Sequence, residues 1–335
     1  MASYLKQSLL SLIALAAVFG LVVVLTNAQA VLNAIDLKFF ILACVFYLVS
    51  IIIWLISWAF LIKKRSKIPY SKLLGVGIAA LYGALTPVQL GAEALRSIRL
   101  KDYFAVSYSD SVSASMIAKG VKFSILAIVF VVVFFLYLLN TKLGLLLTAG
   151  LFSGFVIIVI AACLFLMPLQ KSTGMRISNF FSFISKTFKQ FAALGKFFAD
   201  YSNYLQKIKP ASFAAVFALS FLSLFFEFLA LQFAFMSLGI YLQLQAVIVL
   251  MIFVSILERT PFLPRGIGLV EIFGYAYLSV HSLVSPYITL TAPQIGAVLI
   301  VYDVARLVVP TIAGVAMSFA LYALHRNGKL HKVKK

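Results

Sequence analysis

Thr260-Pro261-Phe262-Leu263-Pro264-Arg265-Gly266-Ile267-Gly268-Leu269-Val270-Glu271 interrupts an apolar run, Val247–Leu257, that is too short to span a bilayer by itself. A spanning helix needs about 20 apolar residues. Proline removes a backbone donor and clashes with the preceding turn, so the helix ends there. The glycines permit a tight turn, and Glu271 opens a new helical pattern. A second break of the same kind, Thr86-Pro87-Val88-Gln89-Leu90-Gly91-Ala92-Glu93, follows the short apolar piece Leu73–Leu85. Paired broken helices, each followed by an acidic residue, form polar sites near the midplane of many transporters.

The rest of the chain supports a membrane setting. Of 335 residues, 64% are hydrophobic and 11% charged, with a mean hydropathy of +1.10. A soluble domain carries about a quarter charged residues. The apolar runs are continuous rather than alternating, which excludes a β-barrel. The expected fold is a single all-α polytopic membrane domain over 1–335. It has about six full spans near Leu9–Leu25, Phe39–Ile62, Val121–Leu139, Leu145–Leu166, Phe213–Leu238 and Ile295–Leu324, plus two re-entrant broken pairs. Asp102–Ser115, polar and serine-rich, reads as interfacial. Lys6, the run Leu9–Leu25 and Ala28-Gln29-Ala30 imitate a signal peptide, but the run exceeds the usual apolar core of one, and a retained first span is expected.

The net charge of +19 does not point to nucleic acid, because its distribution follows the loops. If both broken segments return to the side they came from, six spans bring both termini to the cytoplasmic face of the plasma membrane. Of the 28 lysines and arginines, only Lys38 and Lys142 then fall in outer loops, and Arg259, Arg265 and Arg306 in apolar surroundings. All the others, including Arg96, Arg99, Lys119 and Lys122, count as cytoplasmic, the bias expected of inner loops. The first broken pair enters from the cytoplasmic side and the second from outside, an inverted arrangement. Within 171–210, Ile177, Phe181, Ile184, Phe188, Phe191 and Leu194 fall at helical spacing. Lys186, Lys189 and Lys196 lie mostly off that stripe. This predicts one or two basic amphipathic helices, either on the membrane surface or packed on the other helices. A basic tail, 326–335, closes the sequence.

The partners expected from this pattern are membrane lipids with anionic headgroups. Cys44 and Cys163 read as packing residues. His281, His325 and His331 form no metal motif, so neither metal nor cofactor is expected. The assembly state is left open, a homodimer included.

At its two breaks the chain resembles the flippase-like membrane domain of lysylphosphatidylglycerol synthases and of stand-alone membrane proteins. Pro261, Pro264, Gly266, Gly268 and Glu271 are similar to that family's proline- and glycine-rich turn with its following glutamate; Arg265 stands where glycine is usual. Thr86, Pro87, Gly91, Glu93 and Arg96 resemble its first signature, and Asp303, Arg306, Pro310 and Gly314 its arginine-bearing last helix. Ile117-Ala118-Lys119-Gly120 departs from the family, which often carries a Glu-Arg pair there. No stretch reads as the soluble aminoacyl-transferring domain, so lysine transfer is not implied. The resemblance implies lipid translocation.

A charge at the centre of a span costs about 2.5–3.5 kcal/mol. Glu93, Glu227, Glu258, Arg259, Arg265, Glu271, Asp303 and Arg306 together would cost on the order of 20 kcal/mol unpaired. They must pair or line a wet cavity. Arg96, Arg259, Arg265 and Arg306 are candidate phosphate ligands, because a guanidinium donates two parallel hydrogen bonds. Glu93 and Glu271, expected to meet in one cavity, offset the helix dipole, bind a cationic headgroup or carry a proton. The bland alternative is mutual neutralisation within Glu93–Arg96 and Asp303–Arg306, with Arg306 also serving Glu227. Two other classes stay open: an intramembrane lipid-modifying enzyme, and a non-transporting subunit of a lipid-modifying complex.

Overall fold

The computed structural model describes residues 2–85, 91–136, 145–186, 188, 192–258, 264–284 and 289–326. Among them the chain forms helices and no strand. In order they are α1 Ala2–Thr26, α2 Gln29–Leu32, α3 Leu37–Lys63, α4 Tyr70–Ala79 with a 3-10 turn Leu81–Leu85, α5 Gly91–Phe104, α6 Tyr108–Leu136, α7 Leu145–Leu166, α8 Lys171–Ile184 and α9 Ala192–Gln206. Then follow α10 Pro210–Met236, α11 Leu244–Leu257, a 3-10 turn Pro264–Gly266, α12 Leu269–Val284, α13 Ala292–Asp303, a π-helical segment Val304–Val308 and α14 Val309–Arg326. Five stretches among the described residues are long and apolar enough to cross a membrane: α1, α3, α6, α10 and α13–α14. The 22 residues of α7 reach the same length. The protein is an integral, all-α membrane protein.

The spans pack where small residues let backbones approach. A Cβ on Gly296 of α13 would lie 2.1 Å from Thr26 Oγ1 of α1, and one on Gly120 of α6 2.8 Å from Phe165 Cβ of α7. On α3 and α10, Ser50 and Ser223 share a buried hydrogen bond of 3.1 Å, and Phe46 stacks on Phe233.

Helix α3 fixes the direction of the two broken elements. At its start, Asp36 N–H donates to Ser237 O, just before the chain enters α11. Beyond its end, Arg65 pairs with Asp110 on α6, and Lys72 of α4 lies over the ring of Phe104, the last residue of α5. The α4–α5 element therefore leaves and returns at one end of α3. The α11–α12 element does so at the other end: α11 begins just after Ser237, and Tyr277, midway along α12, donates from Oη to Ala246 O, early in α11, at 3.3 Å. The two elements enter from opposite faces, and their 3-10 turns touch inside the molecule. Residues 86–90 and 259–263, which hold Pro87, Arg259 and Pro261, lie outside the described residues.

Most of the serine-rich segment belongs to α6, which begins at Tyr108, and Ser111, Ser113 and Ser115 are buried in it. Ser111 faces α5, where Ser97 Oγ donates to Ser111 Oγ at 2.9 Å. The last span is present as expected, Ala292–Arg326, and contains a π segment, Val304–Val308, that carries Arg306. A π bulge of this kind commonly marks a functional site. The basic amphipathic region forms two helices. In α9, Tyr201, Tyr204 and Leu205 are buried, and Tyr204 Oη donates to Leu61 O at 3.0 Å. In α8, Met175, Phe180 and Phe183 remain exposed. Packing is the role of α9, and the free apolar face belongs to α8.

Candidate functional site

The two breaks place a glutamate at the same position of two helices. Glu93 is the third residue of α5, and Glu271 the third of α12. Glu271 Oε2 accepts from Gly268 N–H at 2.6 Å, the return half of a capping box. The turn before it needs its glycines: Gly266 has φ +71° and Gly268 φ +89°, and a Cβ on Gly266 would lie 2.5 Å from Leu257 O. Arg265 also adopts a left-handed conformation (φ 49°, ψ 32°), unusual for a residue with a side chain. Its side chain holds it there. Nη1 donates to Arg306 O at 2.8 Å, and Nη2 to Tyr47 Oη at 2.7 Å.

Where the broken elements meet there is a cavity of about 340 Å³. Its charged side is built by Glu93 and Arg96 from α5, Lys119 and Lys122 from α6, Glu227 from α10, Glu258 and Arg265. Its apolar side includes Trp54, Phe123, Ile157 and Ile256. Ile157 also has 59% of its surface exposed, so the apolar edge of the cavity runs into the outer, lipid-facing surface of α7.

The charges pair in three groups. Glu93 Oε1 meets Lys119 Nζ and lies 3.3 Å from Arg96 Nη2. Lys122 Nζ donates to Glu227 Oε1 at 2.6 Å. Arg306 joins Asp303 (2.5 Å), Glu258 (3.1 Å) and Glu271 (3.7 Å), while Arg265 reaches Glu258 at 3.4 Å. All four glutamates of the sequence thus lie in this one region. Arg96 lies over two indoles of α3, its guanidinium carbon 4.7 Å from the Trp54 ring centre and 5.0 Å from that of Trp58. It is 1% exposed, and neither Nη1 nor Nη2 has a well-aligned acceptor.

The structure brings Glu93, Arg96 and Arg265 to the cavity wall. It does not bring Glu271 there: with Asp303 and Arg306, that residue lies behind the wall, reached through Glu258 and Arg265. Glu227 is paired with Lys122 and not with Arg306. Lys119 and Lys122 are site residues, not loop charges, because α6 is already helical where they occur. Arg96 and Arg99 are likewise interior; Arg99 donates to Ser318 Oγ at 3.0 Å and Tyr82 Oη at 3.4 Å. The i,i+3 spacing of Lys119 and Lys122, leading straight into an apolar run, was the available signal that one helix face carries both.

Two comparisons bear on this arrangement. Residues 9–314 match the lysylphosphatidylglycerol synthase TM region. A UPF0104 membrane protein of Pyrococcus horikoshii is 30% identical over 128 residues, which is 37% of this chain and 38% of that protein. The chain thus matches under two-fifths of that relative's length. No solved structure matches.

Proposed function

The chain belongs to the lysylphosphatidylglycerol synthase transmembrane-region family, and from that premise we propose that it translocates a lipid with a charged headgroup through the cavity between its two broken elements. The observation that carries this reading is Arg96: a buried guanidinium on the cavity wall, lying over two tryptophans, whose Nη1 has no acceptor and whose Nη2 has only Glu93 at 3.3 Å. Buried donors without acceptors are costly, and a phosphate oxygen is the natural acceptor for a planar fork.

The neighbouring residues fit the same ligand. A phosphate entering beside Arg96 displaces Glu93 from part of its shell and takes up Lys119, so the headgroup exchanges one set of charge-assisted bonds for another. Such exchange lowers the cost of leaving water. A cationic group on the same headgroup finds Glu93, Glu227 and Glu258 across the cavity. The acyl chains keep to the Ile157 side, where the cavity edge and the lipid-facing surface are continuous. We place the Arg65–Lys72 end of the molecule in the cytoplasm, because the lysines and arginines outside the interior concentrate there.

The test is reconstitution of the purified protein into liposomes with a headgroup-labelled phospholipid, followed by quenching of the outer leaflet. Translocation well above that of protein-free vesicles is expected. Equal rates for phosphatidylglycerol, phosphatidylethanolamine and a neutral glycolipid alike, all at the protein-free level, would reject the reading.

A further inference from the structure

A second cavity lies at the Arg65–Lys72 end of the molecule. It holds about 560 Å³ and is walled by the connection from α3 to α4, the turn from α5 to α6, and Tyr204 of α9. Ile62 in its lining and Ile51 in the first cavity both belong to α3. Roughly 16 Å of helix separates them, at about 1.5 Å of rise per residue. The first broken element is rooted here, since Lys72 of α4 and Phe104, the last residue of α5, both line the cavity. The turn out of α5 closes at Ala105, which adopts a left-handed conformation (φ 56°) where glycine is favoured. Val106 N–H then reaches back to Leu100 O at 3.3 Å.

The charges of this cavity are unequal. Arg65, Lys67 and Lys72 line it, and among its described lining residues Asp110 is the one carboxylate. Asp110 is committed on both oxygens: Oδ1 accepts from Arg65 Nη1 at 2.5 Å, and Oδ2 from Ser107 Oγ at 2.8 Å. Arg65 is held by that bond and by the Tyr204 ring, 4.5 Å from its guanidinium carbon. Lys67 is exposed, and Lys72 Nζ rests 5.9 Å from the centre of the Phe104 ring, a contact that restrains it without using its N–H donors. All nine acidic side chains of the sequence lie among the described residues, and none pairs with Lys67 or Lys72.

We propose that this cavity is a second anion site, which binds a phosphate monoester through Arg65, Lys67 and Lys72; it does not rest on the translocation reading. A phosphate monoester carries about two negative charges at neutral pH and three acceptor oxygens. The two lysines without carboxylates give it charge-assisted bonds, and Arg65, already placed by Tyr204, gives a further one. Ile68, Phe104 and Val106 offer an apolar surface to whatever the phosphate is attached to. The same group comes from a lipid headgroup of the adjacent leaflet or from a soluble phosphate ester. An anion bound to all three cations draws the α3–α4 connection onto α4, at the root of the element that carries Glu93 and Arg96.

Two ligands separate the sources: dihexanoyl phosphatidate, a lipid monoester, and glycerol 3-phosphate, the same group without acyl chains. Each is titrated by calorimetry into the purified protein in detergent, beside its phosphate-free counterpart, dihexanoylglycerol or glycerol, at constant ionic strength. At least one monoester should bind the wild type, and its counterpart should not. Lys67→Gln combined with Lys72→Gln should weaken that binding by about tenfold or more, because a hydrogen bond to a charged group contributes about that factor or more. Lys67→Gln alone, at an exposed position, should already weaken it several-fold, so the test survives if the double variant melts early. Arg96→Gln, in the other cavity, should bind this ligand as the wild type does. Binding of phosphatidate alone identifies the lipid as the source, and binding of glycerol 3-phosphate the soluble ester. No binding of either monoester, binding undiminished by the lysine changes, or binding lost in Arg96→Gln and kept in the lysine variants overturns the site. None of these measurements involves lipid movement.

Discussion

Arg265 and Arg306 each donate to the other's backbone carbonyl: Arg265 Nη1 to Arg306 O at 2.8 Å, and Arg306 Nη1 to Arg265 O at 3.1 Å. This exchange joins the tip of the second broken element to the π segment of the last span. It explains how an arginine occupies a left-handed turn position. Removing Arg306 leaves Asp303, Glu258 and Glu271 without their common cation. Arg306→Met should therefore destabilise the fold by about 3–5 kcal/mol, the usual cost of breaking a buried pair from one side. A melting curve in detergent checks this; an unchanged midpoint contradicts it.

The glycines after Arg265 differ in what they tolerate. Both have positive φ, but an added Cβ meets the Leu257 backbone at Gly266 and nothing within 4 Å at Gly268. Gly268→Ala should cost only the conformational penalty, about 1–2 kcal/mol. Gly266→Ala should cost clearly more, because backbone must move. Equal melting points for the two variants would contradict the turn geometry.

Lys122 and Glu227 form a part-buried pair 105 residues apart in sequence. Glu227→Leu and Lys122→Met should each lower stability by stranding a charge. Lys122→Met combined with Glu227→Leu should recover most of the loss, since an apolar pair of similar size replaces a buried ion pair with little penalty. Additive losses in this double-mutant cycle would mean the two residues are not partners.

The opposite entry of the broken elements predicts a labelling pattern. In a background with Cys44 and Cys163 replaced by serine, cysteines at Asn33 and Thr289 should react with an impermeant thiol reagent from outside intact cells. Cysteines at Ser66 and Ser182 should react only after permeabilisation. Same-side labelling of Ser66 and Thr289 contradicts the arrangement.

Much of this was legible in local sequence. The Thr-Pro, glycine and glutamate runs set the broken elements because proline and glycine act on their own backbone, and the spans followed from length and apolarity. The pairings were not legible, because they depend on which helices become neighbours. Lys122 could not be joined to Glu227 from spacing alone. The serines ahead of it read as interfacial, although hydroxyls buried between helices serve equally well. The i,i+3 pairs Glu93–Arg96 and Asp303–Arg306 were visible, but the addition of Lys119 to the first and of Glu258 and Glu271 to the second required the fold. The same holds for the two indoles under Arg96, both on α3, and for Glu271, which shares its helix position with Glu93 yet sits behind the cavity wall.

The most direct measurement is phospholipid translocation in liposomes by wild type and by Arg96→Gln, each normalised to folded protein by a melting curve run alongside. The account predicts that the wild type moves a labelled anionic phospholipid and that Arg96→Gln loses most of that activity while remaining folded, since a neutral amide over Trp54 and Trp58 keeps a polar group there but not the charged fork. Wild-type activity retained in full by a folded Arg96→Gln protein would contradict it.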